Sequence, residues 1–388
     1  MHPSPIAGYD DWPAAVRGAQ PFEGSNADAT ALGRLLGVHQ QPSPPNVSEE
    51  ARDVVEGVEI RRLRWNVGYG PDTTGWLLRP AETGGYLPGV LGMHCHGGAR
   101  SVGGEQLVDL GQNSTPRAAT LRAAWYAGRA APANELARKG FVVLVHDTFS
   151  WGSRRFDLSH PTPRLASLLE AHAALRRENN LTLSDDEQFD LASSLHEDTL
   201  SKAAGVIGQT LAGAVLTDDL VALDILTRQS GVDPDRLSTF GFSGGGCRSL
   251  LLAALDHRLA ACVVACMMAT FDSLVPSRLD SHSWLLHVPG LWSFSDWPDL
   301  TLLGRARFLV QYRRGDSLFP LAGMEAAHSR LEKAHTEAGR YRGSFSPGGH
   351  EFDAAMQDEA MAFLAEVSAS QVNPEIQLRD ADRQSGAQ

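Results

Sequence analysis

Short apolar stretches alternate with polar or amphipathic ones along most of the chain. The apolar stretches end in glycine or polar residues, as buried strands do where they give way to loops. They are "PGVLGMHCHGG", "GFVVLVHD", "RLSTFGFS", "LAACVVACMM", "RFLVQYRRGD" and "YRGSFSPGGH". Helical patterns lie between them, for example at residues 218–227, and a closing one follows the last stretch at residues 353–367. This alternation predicts an α/β fold in which helices flank a mostly parallel central sheet.

The start of the predicted domain and the two ends of the chain have other patterns. "EGVEIRRLRWNV" and "TTGWLLRPA" flank the turn-forming "GYGPD", the pattern of an antiparallel pair of strands. The outermost residues are polar or proline-rich without periodicity, which is typical of segments outside a packed domain. We therefore expect an N-terminal arm at 1–50, one domain at 51–370 and a flexible tail at 371–388.

Two segments interrupt the alternation. Residues 156–213 are polar and helix-rich, and residues 269–303 are rich in Trp, Pro and His. Both follow a predicted strand at its carboxyl end, the edge at which open α/β sheets bind ligands. We expect lid-type insertions that form the walls of a pocket. The alternative is that they are decorations remote from any chemistry.

Composition narrows the classes of function. The 388 residues are 43% hydrophobic, enough for a sizeable core, and the formal net charge of -12 comes without any stripe of Lys and Arg that could follow a nucleic-acid backbone. The first residues lack a secretory pattern, and no uncharged apolar run is long enough to cross a bilayer. We expect a cytoplasmic protein with reduced cysteines and without nucleic-acid or membrane partners. A homo-oligomer is compatible with the sequence.

The stretch "GFSGGG" at 241–246 places one serine between glycines, after a predicted strand and before the helix-like "CRSLLLAALD". This context is what a G-x-S-x-G nucleophile elbow requires. A side chain at Gly241 or Gly245 would collide with the neighbouring strand or helix. Ser243 Oγ would point to the positive end of the following helix. Ser243 is therefore the candidate nucleophile, and the alternative is an ordinary turn serine.

A serine nucleophile needs a base, and the base needs an orienting acid. Asp316 in "GDSLFP" follows the predicted strand "RFLVQY", and His350 in "SPGGHEF" follows "YRGSF". The chain order Ser, Asp, His is the order of an α/β-hydrolase triad. Asp272, after the preceding strand, is the alternative acid.

Oxyanion stabilisation requires backbone N–H groups beside the nucleophile. "HCHGGAR" supplies them at Gly97 and Gly98, which would act together with the N–H of Gly244. The same stretch contains an H-x-H pair, His94 and His96, for which no convincing third metal ligand appears. We therefore expect neither a metal nor another cofactor.

Taken in order, these motifs resemble the α/β-hydrolase superfamily, and within it the branch of enzymes like dienelactone hydrolase and acetyl xylan esterase. The resemblance rests on "HGG" at 96–98, "VLVHDTFSWGSRR" at 143–155, "GFSGGG", "GDSLFP" and "GGHEF". It spans about residues 58–367 and implies the α/β-hydrolase fold with a Ser-His-Asp triad. Dienelactone hydrolase itself has a cysteine nucleophile where this chain has Ser243, which favours ordinary ester hydrolysis.

The expected function is hydrolysis of a small-molecule carboxylic ester or lactone. Ser243 would carry the acyl group, His350 would act as general base, and Asp316 would orient His350. A C–C bond hydrolase or an acyltransferase could use the same triad. A ligand-binding pseudo-hydrolase is the alternative from a different class.

The substrate pocket is expected to be partly aromatic. Phe149 and Trp151 follow the strand that ends at Asp147, and Trp292 and Trp297 lie in the second insertion. Arg154 and Arg155 would bind a substrate carboxylate, or these arginines would tie a loop to nearby acids.

Overall fold

The computed structural model describes residues 11–19, 28–39, 45–126, 131–275, 278–337 and 339–371. Within these ranges the strands are β1 (Ser48–Val55), β2 (Val58–Trp65), β3 (Thr73–Pro80), β4 (Leu87–Met93), β5 (Val142–His146), β6 (Val232–Phe242), β7 (Leu259–Ala265), β8 (Arg307–Arg313) and β9 (Tyr341–Ser346). The α-helices are α1 (Trp12–Ala19), α2 (Ala29–Leu36), α3 (Pro116–Trp125), α4 (Pro132–Arg138), α5 (Pro163–Glu178), α6 (Asp185–Val206), α7 (Leu211–Thr227), α8 (Gly244–Leu255), α9 (Phe271–Leu274), α10 (Leu291–Phe294), α11 (Leu321–Ala334) and α12 (Ala354–Ser370).

All of these strands form one sheet in the order β1-β2-β3-β5-β4-β6-β7-β8-β9. β1, β2, β3 and β5 pair antiparallel in succession, and every pair from β5 to β9 is parallel. The predicted mostly parallel sheet with an early antiparallel pair is confirmed. β1 was not predicted, because its sequence, "SEEARDVV", is mostly exposed and carries no apolar run.

Both faces of the sheet are covered. Along β5, Val142 and Leu144 belong to a core cluster that includes residues of α7 and α8, whereas Val143 and Val145 belong to a second cluster with residues of α4 and α12. Successive side chains of a strand point to opposite faces, so a strand that is buried on both sides is apolar throughout.

The first insertion contains two helices with clear start signals. α5 begins with Pro163 after the N-cap Thr162, and α6 begins with a capping box between Ser184 and Glu187. Among the described helices, none is by itself long and apolar enough to cross a membrane; α6 and α7 meet that test only as a pair, bent by 82°. α7 is a largely buried core helix.

Part of the predicted arm is folded onto the domain. Leu32 and Leu36 of α2 are fully buried, and the backbone N–H of Thr210 donates to Leu36 O at 3.0 Å. The division of the chain at residues 50 and 370 stays a prediction. Nearly all of the predicted tail lies outside the described residues.

Candidate active site

Ser243 lies on a sharp turn between β6 and α8. Its backbone has φ 54° and ψ −119°, a strained conformation for a residue with a side chain, and its N–H donates to Ala265 O in β7 at 2.8 Å. The glycines around it are required by space. A Cβ on Gly245 would stand 2.1 Å from Met93 O in β4, and one on Gly241 would stand 2.1 Å from the carbonyl carbon of Gly245. The turn therefore has the geometry of a nucleophile elbow.

The structure brings Ser243, His350 and Asp316 into one hydrogen-bond chain. His350 Nε2 lies 2.8 Å from Ser243 Oγ, and His350 Nδ1 lies 2.7 Å from Asp316 Oδ2. A carboxylate oxygen only accepts, so Nδ1 carries the proton and Nε2 is free to accept from the serine hydroxyl. The other oxygen of Asp316 accepts the N–H of Leu318 at 2.9 Å. The alternative acid, Asp272, is exposed on α9.

Aromatic rings hold the imidazole of His350 in this orientation. Its centroid lies 4.8 Å from that of Phe242, at the end of β6, and 6.1 Å from that of the nearly parallel Phe319. Trp125 contacts it edge to face at 6.2 Å. Packing of this kind limits the rotation of the ring, which keeps both nitrogens in line with their partners.

Two of the three predicted oxyanion-hole glycines converge beside the serine. The thiol of Cys95 is buried there. Burial raises the pKa of this thiol, and the neighbouring Ser243, Gly97 and Gly244 oppose the rise. Gly97 and Gly244 therefore both lie near this thiol and line the cleft with Ser243, which makes their amides candidates for the oxyanion hole.

The third predicted glycine is oriented differently. Gly98 N–H donates to Nδ1 of His96 at 3.1 Å and is not aimed at the serine. The backbone nitrogen of His96 lies close to Gly244 instead, 2.8 Å from where a Cβ on that glycine would stand. The amides next to the nucleophile are therefore those of Gly244 and of the His96–Gly97 segment. The sequence could not distinguish these amides, because their directions depend on two consecutive glycines with positive φ.

The histidines of the H-x-H pair have separate partners. His94 Nδ1 lies 2.9 Å from Cys95 O, whereas His96 Nε2 lies 3.1 Å from Glu197. Burial, with a contribution from the charge of Arg248, lowers the pKa of His94 well below its ordinary value, so this imidazole is neutral. Each ring therefore has a role in holding the loop after β4.

Arg248 in α8 anchors the elbow to that loop. Its Nε and Nη2 lie 3.0 and 2.6 Å from the two carboxylate oxygens of Asp219 in α7, and its Nη1 donates to His94 O at 3.1 Å. Burial would raise the pKa of Asp219, but Arg248 and His146 together outweigh it and lower the pKa to about 2. No motif signalled this pair.

A cleft of about 960 Å³ opens over Ser243 and His350. Both insertions contribute to its walls, the first through residues such as Leu195 and Asp198 and the second through residues such as Trp284. Two histidines of the second insertion, His282 and His287, also line it. Burial lowers the pKa of His282 to about 4 and also lowers that of His287. These rings are therefore neutral at physiological pH.

The predicted pocket residues do not line this cleft. They are Phe149, Trp151, Arg154, Trp292 and Trp297. Trp297 is fully buried against Phe271, with ring centroids 5.7 Å apart, and Trp292 packs on the same ring. Trp151 is buried below the loop after β4, and Phe149 packs against Tyr69. Large aromatic side chains gain much stability from burial, which explains why these residues pack in the core and not in the cleft wall. The aromatic residues in the cleft wall are Trp125, Trp284 and Phe319.

Arg154 ties a loop to a buried acid, the second of its two predicted roles. It is 4% exposed, and its Nε lies 2.7 Å from Asp218 Oδ2. Its guanidinium also donates to the carbonyls of Tyr69 and Pro71. Because its hydrogen-bonding capacity is used inside the protein, Arg154 does not face a substrate.

Comparisons with known proteins agree with this fold. No family model matches the chain. It is 26% identical over 340 residues to "Putative hydrolase YtaP" of Bacillus subtilis (strain 168), an alignment that covers 86% of this chain and 96% of that protein. The glucuronoyl esterase from Solibacter usitatus superposes with a TM-score of 0.58 at 12% identity, over 89% of this chain and 93% of that chain. Acetyl xylan esterase 1 from a Thermoanaerobacterium species superposes with a TM-score of 0.51 at 17% identity, over 91% of this chain and 98% of that chain. The chain has the α/β-hydrolase fold.

Proposed function

We propose that this protein is a serine hydrolase that cleaves a small-molecule carboxylic ester or lactone. The observation that carries the proposal is the hydrogen-bond chain from Ser243 through His350 to Asp316, at 2.8 and 2.7 Å. A serine hydroxyl becomes nucleophilic when a neutral imidazole accepts its proton and a carboxylate fixes the tautomer of that imidazole.

The reaction proceeds in two acyl-transfer steps. Ser243 Oγ attacks the substrate carbonyl carbon while its proton passes to His350 Nε2. The oxyanion of the tetrahedral intermediate accepts hydrogen bonds from the N–H groups of Gly244 and of the His96–Gly97 segment. The imidazolium of His350, stabilised by Asp316, protonates the leaving alcohol. Water then attacks the acyl-enzyme by the same path and releases the acid.

The cleft supports a small-molecule substrate. Its volume of about 960 Å³ lies within the range of small-molecule sites, on the order of 300–1,000 Å³. The names of the similar proteins, a hydrolase and two esterases, agree with ester hydrolysis. A retained hydrogen-bond chain argues against a pseudo-hydrolase. The net charge of -12 argues against a nucleic-acid partner.

A serine-directed fluorophosphonate probe tests the proposal. The wild type should become covalently labelled, with the adduct on the peptide that contains Ser243, and Ser243→Ala should not label. Ser281→Ala is a matched control, because Ser281 is another serine of the cleft wall and its hydroxyl donates to the neighbouring Asp280 at 3.3 Å. This control should label like the wild type. Labelling of folded Ser243→Ala, or an unlabelled folded wild type, would contradict the proposal.

A further inference from the structure

Glu197 joins three parts of the protein at the edge of the cleft. It belongs to α6, in the first insertion, and its side chain is 9% exposed. One carboxylate oxygen accepts hydrogen bonds from Ser283 Oγ at 2.7 Å and from the N–H of Trp284 at 2.9 Å, both in the second insertion. The other oxygen contacts His96 Nε2 at 3.1 Å and the guanidinium of Arg100. Both insertions and the loop after β4 therefore meet at a single carboxylate.

The contact with His96 fixes the backbone beside the nucleophile. Gly98 N–H donates to Nδ1 of His96, so Nδ1 carries the lone pair and the ring proton is on Nε2, where it is donated to Glu197. Trp151 donates its indole N–H to His96 O at 3.3 Å. The His96–Gly97 segment, whose amides lie beside Ser243, is thus held through the ring and through the backbone of His96.

The charge of Glu197 is also balanced there. Arg100 is 1% exposed, and its guanidinium lies 3.8 Å from the ring centroid of Trp151. Burial would raise the pKa of Glu197, but the hydrogen bond from His96, the charge of Arg100 and the hydrogen bond from the hydroxyl of Ser283 hold the pKa well below its ordinary value. The carboxylate is ionised at neutral pH. Its removal would leave Arg100 buried without the counter-charge that its guanidinium contacts.

We propose that Glu197 is a positioning residue that sets the amides of the His96–Gly97 segment for the oxyanion and couples them to the two insertions. This inference rests on the proposed function. Amides that contact the oxyanion act mainly in the transition state, so their misplacement lowers kcat more than it changes KM. The contact between the two insertions in the cleft wall and the alignment of the oxyanion donors then both depend on the side chain of Glu197.

Kinetics of Glu197→Gln on a p-nitrophenyl ester test this role, with Asp190→Asn as a matched control. Asp190 lies on the same helix, is similarly buried, and anchors it to Ser101 N at 2.8 Å and to Arg117 at 2.7 Å without contacting His96. We expect Glu197→Gln to lower kcat by roughly 10- to 1,000-fold with KM changed less than about threefold. Asp190→Asn should keep kcat within about threefold of the wild type, even where it lowers the melting temperature.

His96→Ala provides a second variant that leaves Glu197 bonded to Arg100, Ser283 and Trp284. It should lower kcat as Glu197→Gln does, and the double variant should lose little more than either single one, because both remove the same link. Equal loss of kcat in Glu197→Gln and Asp190→Asn, an effect on KM alone, or wild-type kcat in His96→Ala would overturn the proposal. Ser243→Ala in the same assay distinguishes failure of the positioning role of Glu197 from failure of the proposed function. If Ser243→Ala stays active, the proposed function itself fails.

Discussion

The Nε2 atom of His350 lies 2.8 Å from Oγ of Ser243, although 107 residues separate the two in sequence. They meet because Ser243 follows the carboxyl end of β6 and His350 follows that of β9, on the same edge of a parallel sheet. Asp316 follows β8, which is paired with β9, and so reaches the far side of the imidazole. The candidate site is thus a product of sheet topology.

Replacing Asp316 by asparagine should impair the reaction while leaving the fold intact. The N–H of Leu318 would hold the amide oxygen of the asparagine, so its NH2 group would face His350 Nδ1 and could not accept the proton of that nitrogen. The imidazole would then lose the tautomer that accepts from Ser243. We expect kcat for ester hydrolysis to fall by roughly 100- to 10,000-fold. Asp272→Asn is the control, since this exposed residue of α9 was the alternative acid. Similar losses in both variants would contradict the assignment of Asp316.

Gly245→Ala should destabilise the elbow. Its Cβ would stand 2.1 Å from Met93 O, so β4 and α8 would have to separate. We expect the free energy of unfolding, measured in urea, to fall by at least about 1–3 kcal/mol. Gly349→Ala is a matched control beside His350, where an added Cβ meets no atom within 4 Å. The account predicts a near-wild-type midpoint for that control. Wild-type stability of Gly245→Ala would contradict the close approach of α8 to β4.

Arg154→Ala should affect stability and not substrate recognition. It would leave Asp218 buried without its cation, and breaking such a pair costs on the order of 3–5 kcal/mol. KM should change equally for esters with and without a carboxylate. Arg155→Ala changes an exposed neighbour and should be nearly neutral for stability. A rise in KM confined to carboxylate-bearing esters would return Arg154 to the substrate site.

The protein should lose stability as the pH falls from about 6.5 to 4, in part because of His282. Burial lowers the pKa of this histidine from its ordinary value of 6.5 to about 4. In that interval the unfolded chain binds a proton there and the folded protein does not, so acid favours unfolding, by on the order of 2 kcal/mol at pH 5. His282→Gln should flatten the dependence of the unfolding free energy on pH. Part of the pH dependence of the unfolding free energy should remain in this variant, because the pKa of His287 is also lowered. An unchanged slope in His282→Gln would contradict the burial of a neutral ring.

The strands and the triad were predictable because their signals are local. Each residue of the candidate triad lies within a few residues of the carboxyl end of a predicted strand, and the glycines around Ser243 mark a turn that needs space. β1 carried no such signal, since an exposed edge strand has no apolar face. Trp284 and Trp297 lie in the same Trp-rich insertion, yet one lines the cleft and the other is core. Only the tertiary packing determines which of these two tryptophans lines the cleft. Glu197 could not be found from sequence, because its contact with His96 spans 101 residues.

Hydrolysis of a panel of p-nitrophenyl esters, from acetate to longer and aromatic acyl chains, by wild type and Ser243→Ala side by side tests the central claim most directly. Ser281→Ala and circular dichroism control for the cleft and the fold. The account predicts turnover by the wild type on short-chain esters and a loss in kcat of roughly four orders of magnitude or more in Ser243→Ala. Full activity in a folded Ser243→Ala variant would contradict it.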